Sequence, residues 1–473
     1  MNIEDTIGSL EEFQTSIAIN LFQKNNNFSD TYLEFLHLFK KESINKIMQN
    51  GLLHKNIKKA LLKENLIFYA QIPQSNISTL KQKKDIKYEN NYHSFNELQK
   101  FILTEENKEK RHTLYKLISN TIIQKLNPIY KTMYDHLNLI SKDLGFNGYV
   151  NLCLEMLNVD LSSLKREIEI ILQNTNNIYF NKLKKIVLTK GYLLKNIYSF
   201  DLPDIWSLKQ YEKYFSKQLD IPYFLKELGL EQTLNKIEIN LDNSNSYRSF
   251  CLPVKVPHEI KLFISTRERI DDQRIFFHEL GHAVHISNIK ENSHPQFRCW
   301  ADESISEAFA FLFEGLFNNR DFIKKYYDLD DPIYHEILYL NRLYLLRLHT
   351  ARILWEIDEI ETNKNFQQRI NSWSTYYKRI IGVNNEGLGA FIEREFFLKS
   401  INYLYGWMLE AQLRSYLEKE VGSQWFMDIH TGKLVRNILQ GDNLSSAKDV
   451  SRIIGFKTLD SKELIKQLQE NFL

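Results

Sequence analysis

Proline and glycine are scarce in this 473-residue chain: there are 8 Pro and 16 Gly, and no proline follows Pro332. Few breakers mean long uninterrupted elements, and over most of the chain the apolar residues recur at helical spacing. Cysteine is scarcer still. Cys153, Cys251 and Cys299 are irregularly spaced, form no disulfide framework and read as buried thiols in reducing surroundings. No apolar run approaches a membrane span; even Ala308 to Phe317 is broken by Glu314. The segment from Met1 to Phe13 holds Glu4, Asp5, Glu11 and Glu12 and no basic residue. It lacks the basic start and apolar stretch of a secretory signal, so the expected location is the cytoplasm. A charge excess is missing as well. With 61 basic residues against 59 acidic ones, the net charge of +2 gives no electrostatic reason to expect nucleic acid or an anionic membrane as partner.

What is present is ordinary globular material: 43% hydrophobic and 25% charged residues, enough to argue against wholesale disorder. The length suits two or three domains, or one large two-lobed body with a deep core and a cleft. Leu114, Ile118, Ile122 and Leu126 recur at four-residue spacing, and Leu343, Leu346 and Ile353 continue the habit. Such stripes are core faces of helices. The Asn-rich patches at Asn25–Asn27 and Asn174–Asn177 read as loop connections. One region breaks the helical pattern. Between Pro257 and Thr266, Ile260, Leu262 and Ile264 alternate with Lys261 and Phe263, which predicts a short strand. A soft boundary follows near residue 240, with a helical N-terminal region at 1–240 and a catalytic region at 241–473. No second copy of the chain is called for, so a monomer is expected.

The chemistry is concentrated just after that strand. His278-Glu279-Leu280-Gly281-His282 is an HExxH motif within a helical pattern from Phe276 to Ile289, with Asp271 or Asp272 available to cap the helix start. Four residues at about 100° each set the two imidazoles about 40° apart on one face, one turn from each other, within reach of a single ion. Neutral imidazole is a good zinc ligand, but zinc takes four positions, so two His leave the set unfinished. Glu279, beside them, is positioned to take a proton from water. After 20 intervening residues comes Glu303, and Glu307 shares its face one turn later. This reading gives Glu303 to the metal, while Glu307 accepts the second ring N–H of a ligand His and fixes its tautomer.

With these residues in view, the chain resembles the HExxH-plus-Glu peptidases, and within them the helical oligopeptidases of the thimet oligopeptidase, neurolysin and oligopeptidase F family. The likeness rests on Ser249-Phe250-Cys251-Leu252-Pro253 with Val256-Pro257-His258-Glu259-Ile260, on Asp271 to His285, and on Leu144-Gly145-Phe146-Asn147-Gly148-Tyr149, similar to a helix-ending motif. Glu303-Ser304-Ile305-Ser306 is similar to the third-ligand helix of these enzymes and of Taq-type metallocarboxypeptidases. The resemblance spans roughly residues 110–470 and is densest from Ser249 to Glu314. It implies a mainly α, two-lobed, neurolysin-like body with a deep cleft, a small β-sheet next to the metal-binding helix, one zinc ion and short peptides as substrates. The chain is shorter than typical members. The interval from His282 to Glu303 is also shorter than in thimet-type enzymes, which keeps Glu307 as the alternative ligand.

The resemblance further implies a Tyr on a late helix as oxyanion donor. Asn402-Tyr403-Leu404-Tyr405-Gly406-Trp407 resembles that helix, with Tyr403 favoured and Tyr405 as second choice. No His just upstream matches the one some relatives use beside this Tyr. His285, seven residues after His278, lies on nearly the same face and is expected in packing or in contact with a ligand. His258 and His294 read as ordinary strand and loop residues. The strand carrying His258, Ile260 and Leu262 is expected at a sheet edge, where its backbone could pair with an extended substrate or simply brace the helix. The reading is therefore a zinc oligopeptidase in which Glu279 is the general base. The alternatives are a metallocarboxypeptidase, a metal-dependent amidase or maturation protease for one partner peptide, and a peptide-binding protein without useful turnover.

Overall fold

Scarcity of breakers translates directly into helix length. In the computed structural model, helices α1 (Ile3–Phe22), α2 (Lys55–Gln82) and α3 (Leu161–Thr189) dominate the first half of the chain. The structure describes residues 3–22, 28–49, 51, 54–216, 218–241, 249–264, 269–362, 364–442 and 444–470. Asp160 caps α3 by accepting the Ser162 N–H, satisfying one of the donors that a helix start leaves free. The stripe at Leu114, Ile118, Ile122 and Leu126 is buried throughout. Chain direction reverses at the Leu144–Tyr149 segment, where Gly145 and Gly148 take positive φ of 90° and 91° and a new helix begins at Tyr149.

The Asn174–Asn177 patch is not a loop. It lies in the middle of α3, where Asn174 Nδ2 and Thr175 Oγ1 donate to carbonyls one turn back. Arg347 donates to Thr175 Oγ1 at 3.1 Å and to Asn176 Oδ1 at 2.8 Å. A buried guanidinium needs acceptors, and this tertiary demand overrides the weak helix preference of Asn. The patch at Asn25–Asn27 lies outside the described residues.

A three-stranded sheet forms from β1 (Ile237–Leu241), β2 (Phe250–Lys255) and β3 (Glu259–Ile264). Its order is β1-β3-β2, with β3 parallel to β1 and antiparallel to β2. Ile260, Leu262 and Ile264 are fully buried, as the alternation predicts. Each such side chain contributes about 1.5–3 kcal/mol by leaving water. The expected edge position is corrected, however. β3 is the central strand, and both of its hydrogen-bonding sides are taken by neighbours. Ile260 and Leu262 therefore cannot offer backbone to a substrate. His258 sits in the turn before β3, with Nε2 3.1 Å from Glu291. Alternation reports which face is buried and says nothing of edge or centre. Pro253, without an N–H, is tolerated because β2 is the outer strand.

Behind the sheet lies α4 (Ile270–Ser287), followed by α5 (Glu303–Glu314), α6 (Pro332–Glu361) and α7 (Lys399–Val421). Helix α5 is packed between α4 and α7, and two glycines set its distances. A Cβ on Gly281 of α4 would lie 2.6 Å from Ala310 Cα and would also strike the Phe309 carbonyl. A Cβ on Gly406 of α7 would lie 2.8 Å from Glu307 Cβ. Neither contact is sterically tolerable, so both glycines are needed for the close crossings. Elements from the two halves of the chain also meet: α1 packs on β2, with Ala18 against Leu252 and Val254, and α3 packs on α6.

Candidate active site

The α4 start is fixed by Asp272, which accepts the Arg269 N–H at 3.2 Å in a capping box. Nearly two turns further on, His278 and His282 emerge on one face, their rings 4.9 Å apart. Both Nε2 atoms aim at one oxygen: Glu307 Oε2 lies 3.6 Å from His278 Nε2 and 3.8 Å from His282 Nε2. Among the described residues, these three make the one group of His, Cys, Asp or Glu whose ligand atoms all lie within 4.8 Å of one another.

Each imidazole is held from behind. His278 Nδ1 donates to Glu314 Oε2 at 3.0 Å, and His282 Nδ1 is within hydrogen-bonding distance of Ser306 Oγ, at 2.8 Å. Protonation at Nδ1 leaves Nε2 with a free lone pair, the form a metal ligand requires. Burial alone would raise the Glu314 carboxyl, but the His278 hydrogen bond and the Arg274 guanidinium, 3.0 Å away, hold it at about 2. Burial works against a charged His278, yet Glu314, Glu307 and Glu279 together raise its pKa. The surroundings thus favour a positive charge at this ring, which a bound cation can supply in place of the proton. Burial and the neighbouring His278 keep His282 neutral.

Glu303 is the clearest departure from expectation. Its carboxylate turns away from the imidazoles: Oε1 lies 2.5 Å from Lys63 Nζ of α2, and Oε2 accepts from Asn402 Nδ2 at 3.1 Å. Lys63 above all holds it at about 2. In the geometry Glu307, not Glu303, faces the two imidazoles, and the carboxylate that accepts a ring N–H is Glu314. The crossing of α4 and α5 at Gly281 puts the second turn of α5, not the first, opposite the two His. Glu307 is 4% exposed, its pKa is raised by burial, and its Oε2 has no hydrogen-bond partner. An orphaned buried carboxylate oxygen between two bare imidazole nitrogens fits a divalent metal ion, which two His and one Glu would hold.

Glu279 is half-buried beside this group and accepts a hydrogen bond from the Cys251 backbone of β2; loss of solvent pushes its carboxyl up to about 7. His285 stays outside the group. It stacks on Phe309, with ring centroids 5.6 Å apart, and burial pushes it down to about 4. His294 begins the short helix Pro295–Arg298 as its cap. The two tyrosines separate, because residues two apart on a helix point to different sides. Tyr403 lies between Phe311 at 6.1 Å and His349 at 4.7 Å and lines a cavity of about 380 Å³ together with Lys63, Glu303, Lys399 and Asn402. Burial, and then Glu307, push its hydroxyl up to about 12. Tyr405 lines a different cavity, beside Lys55 and Asp302.

Four participants escaped the sequence reading. Glu314 stands seven residues after Glu307, two turns along the same face, a signal that was legible. Ser306 and Lys399 carry no sequence signal of their own. His349 comes from α6, far upstream of Tyr403, with Nδ1 3.0 Å from Ser400 Oγ. Lys399 Nζ is 3.6 Å from Glu307 Oε1; burial works against its charge, but Glu307, Tyr403 and Glu303 together raise its pKa.

No family model and no curated protein matches this chain. Solved structures do. A structure assigned to oligoendopeptidase F of Bacillus anthracis str. Ames superposes with a TM-score of 0.62, covering 98% of this chain and 84% of that one at 13% identity. PZ peptidase A, solved with an inhibitor, gives 0.67 over 100% of this chain and 97% of its own at 12% identity. A further structure assigned to oligoendopeptidase F gives 0.69 over 100% and 96% at 10% identity. At such identities the likeness establishes the fold: this chain has the mainly helical architecture of those oligopeptidases, with the small mixed sheet beside α4.

Proposed function

We propose that this chain is a zinc-dependent peptidase acting on short peptides, with His278, His282 and Glu307 as the ligands of one zinc ion. The observation that carries the reading is the convergence of two bare imidazole nitrogens on an otherwise unpartnered, buried carboxylate oxygen, with Glu279 alongside. Two imidazoles and a carboxylate form a donor set suited to zinc, and three protein donors would suit a catalytic rather than a structural ion. When bound, zinc supplies Lewis-acid polarisation of the scissile carbonyl and a water of lowered pKa.

The chain's own residues account for the rest of the reaction. Glu279, within electrostatic reach of His278 and Glu307, takes a proton as water attacks the carbonyl carbon and returns it to the amine nitrogen as the C–N bond breaks. A carboxyl near neutrality in its pKa serves both halves of that transfer. The Cys251 N–H orients it from β2. Tyr403, at the cavity beside Glu307, donates to the oxygen that gains negative charge. Glu314 and Ser306 hold the imidazole tautomers. The likeness to oligoendopeptidases and PZ peptidase supports peptides as substrates, at the level of shared fold.

A metallocarboxypeptidase is the second reading, because Lys59 lines the cavity as a cation for a terminal carboxylate. Cleavage-site mapping on a mixed peptide library, with metal analysis and chelator controls, tests both. The endopeptidase reading expects internal cuts and cleavage of a peptide with a blocked C-terminus; strict loss of C-terminal residues would replace it with the carboxypeptidase. Glu279→Gln should keep one metal per chain and lose about 10²–10⁴-fold in kcat. Turnover close to wild type in that variant would remove Glu279 from the base role.

A further inference from the structure

We propose that Lys399 is a second oxyanion donor, an ammonium that shares with Tyr403 the negative charge formed on the scissile carbonyl oxygen. The inference rests on the hydrolytic reading above and deepens it. The two oxygens of Glu307 divide their neighbours: Oε2 faces the imidazoles at 3.6 and 3.8 Å, and Oε1 faces Lys399 Nζ at 3.6 Å. The ammonium therefore stands one carboxylate's width from the donor atom. Lys399 is the first residue of α7, four before Tyr403, so the two side chains share a face. Its Nζ lies over the Tyr403 ring, 5.0 Å from the centroid, and hydrogen-bonds the Tyr403 hydroxyl. Tyr403 is itself braced by His349 and Phe311.

The position is costly for a merely structural lysine. A fixed ammonium beside the metal ligands repels a divalent ion, and drawing on Glu307 weakens that carboxylate as a donor. The interaction becomes favourable when a negative charge develops next to it, which is what distinguishes transition-state from ground-state binding. Lys399 also keeps donor capacity. An ammonium has three N–H groups; Glu307 faces it as an ion pair at 3.6 Å rather than as a close hydrogen bond, and the side chain remains 41% exposed on the cavity that Tyr403 and Glu303 line. Lys399 stays an ammonium throughout. Water forms the new C–O bond, its proton passes by Glu279 to the amine, and the C–N bond breaks.

The test uses the metal-loaded full chain as wild type, Lys399→Met and Lys399→Arg. Metal per chain, kcat and KM on a fluorogenic peptide are measured, together with calorimetric affinity for two anionic peptide analogues. One carries a tetrahedral phosphinate at the scissile position, the other a planar carboxylate of equal charge. Lys399→Met should keep one metal per chain, lose about 10²–10³-fold in kcat with KM within about threefold, and lose at least about tenfold more affinity for the phosphinate than for the carboxylate. Lys399→Arg should recover most of the phosphinate affinity. Equal losses for the two analogues, or an unchanged kcat in Lys399→Met, would overturn the assignment. A wild-type protein that cuts no peptide but binds phosphinate in a Lys399-dependent way would end the peptidase reading and leave the Lys399 assignment standing.

Discussion

Glu303 and Glu307 occupy successive turns of α5 and point to the same side of it, yet they live in opposite electrostatic worlds. The first turn meets α2, whose Lys63 grips Glu303 and holds its carboxyl at about 2. The second turn meets α4 and α7 at their closest crossings, where burial raises the Glu307 carboxyl and leaves one oxygen without a partner. A carboxylate neutralised by its own lysine has little left to offer a cation. Glu307 has Lys399 on one oxygen only, and the other, lodged between bare imidazoles, is left for a cation. Helical spacing makes the two residues equivalent; the neighbouring helices make one a structural ion pair and the other a candidate metal ligand.

That contrast can be broken or sharpened by substitution. Short of removing a donor, the largest effect on the metal is expected behind the imidazoles: Glu314→Gln should weaken metal affinity about 10–100-fold, because it loosens His278. Metal titration by competition with a chromophoric chelator checks this, and an unchanged affinity would remove Glu314 from the support of the site. Next is His285, the third His of α4. Burial depresses its folded pKa from about 6.5 to about 4, so the unfolded chain takes up the proton first as pH falls. Stability is therefore lost as pH drops below about 6.5, amounting to about 2 kcal/mol by pH 5. In the metal-free protein His285→Phe should flatten the stability profile between pH 7 and 5 by that amount, measured by urea unfolding. A profile parallel to wild type would contradict a buried, uncharged His285. The smallest effect belongs to the first turn of α5. Lys63→Met should cost about 1 kcal/mol or less, since the pair is partly exposed, and leave metal affinity within about threefold.

Much of this was legible in the residues. The four-residue spacing of His278 and His282 fixed a shared face, and the alternation at Ile260, Leu262 and Ile264 marked a buried strand. The few breakers foretold a mainly helical body. What local pattern could not carry was every decision made by another element. Lys63 stands 240 residues before Glu303, and no periodicity links them. The same holds for His349 beside Tyr403 and for β1, whose pairing turned the expected edge strand into the central one. The Asn174–Asn177 patch misled for the same reason: its polar side chains serve Arg347, which sits on a different helix. Glu314 is the exception. Its distance of two turns from Glu307 was visible and went unread.

We propose that the metal belongs to the second turn of α5, at Glu307, and not to the first, at Glu303. Metal content per chain, measured by plasma mass spectrometry after dialysis on wild type, Glu303→Gln and Glu307→Gln side by side, tests it most directly. One ion is expected in wild type and in Glu303→Gln, and none retained in Glu307→Gln. One ion kept by Glu307→Gln and lost from Glu303→Gln would contradict it.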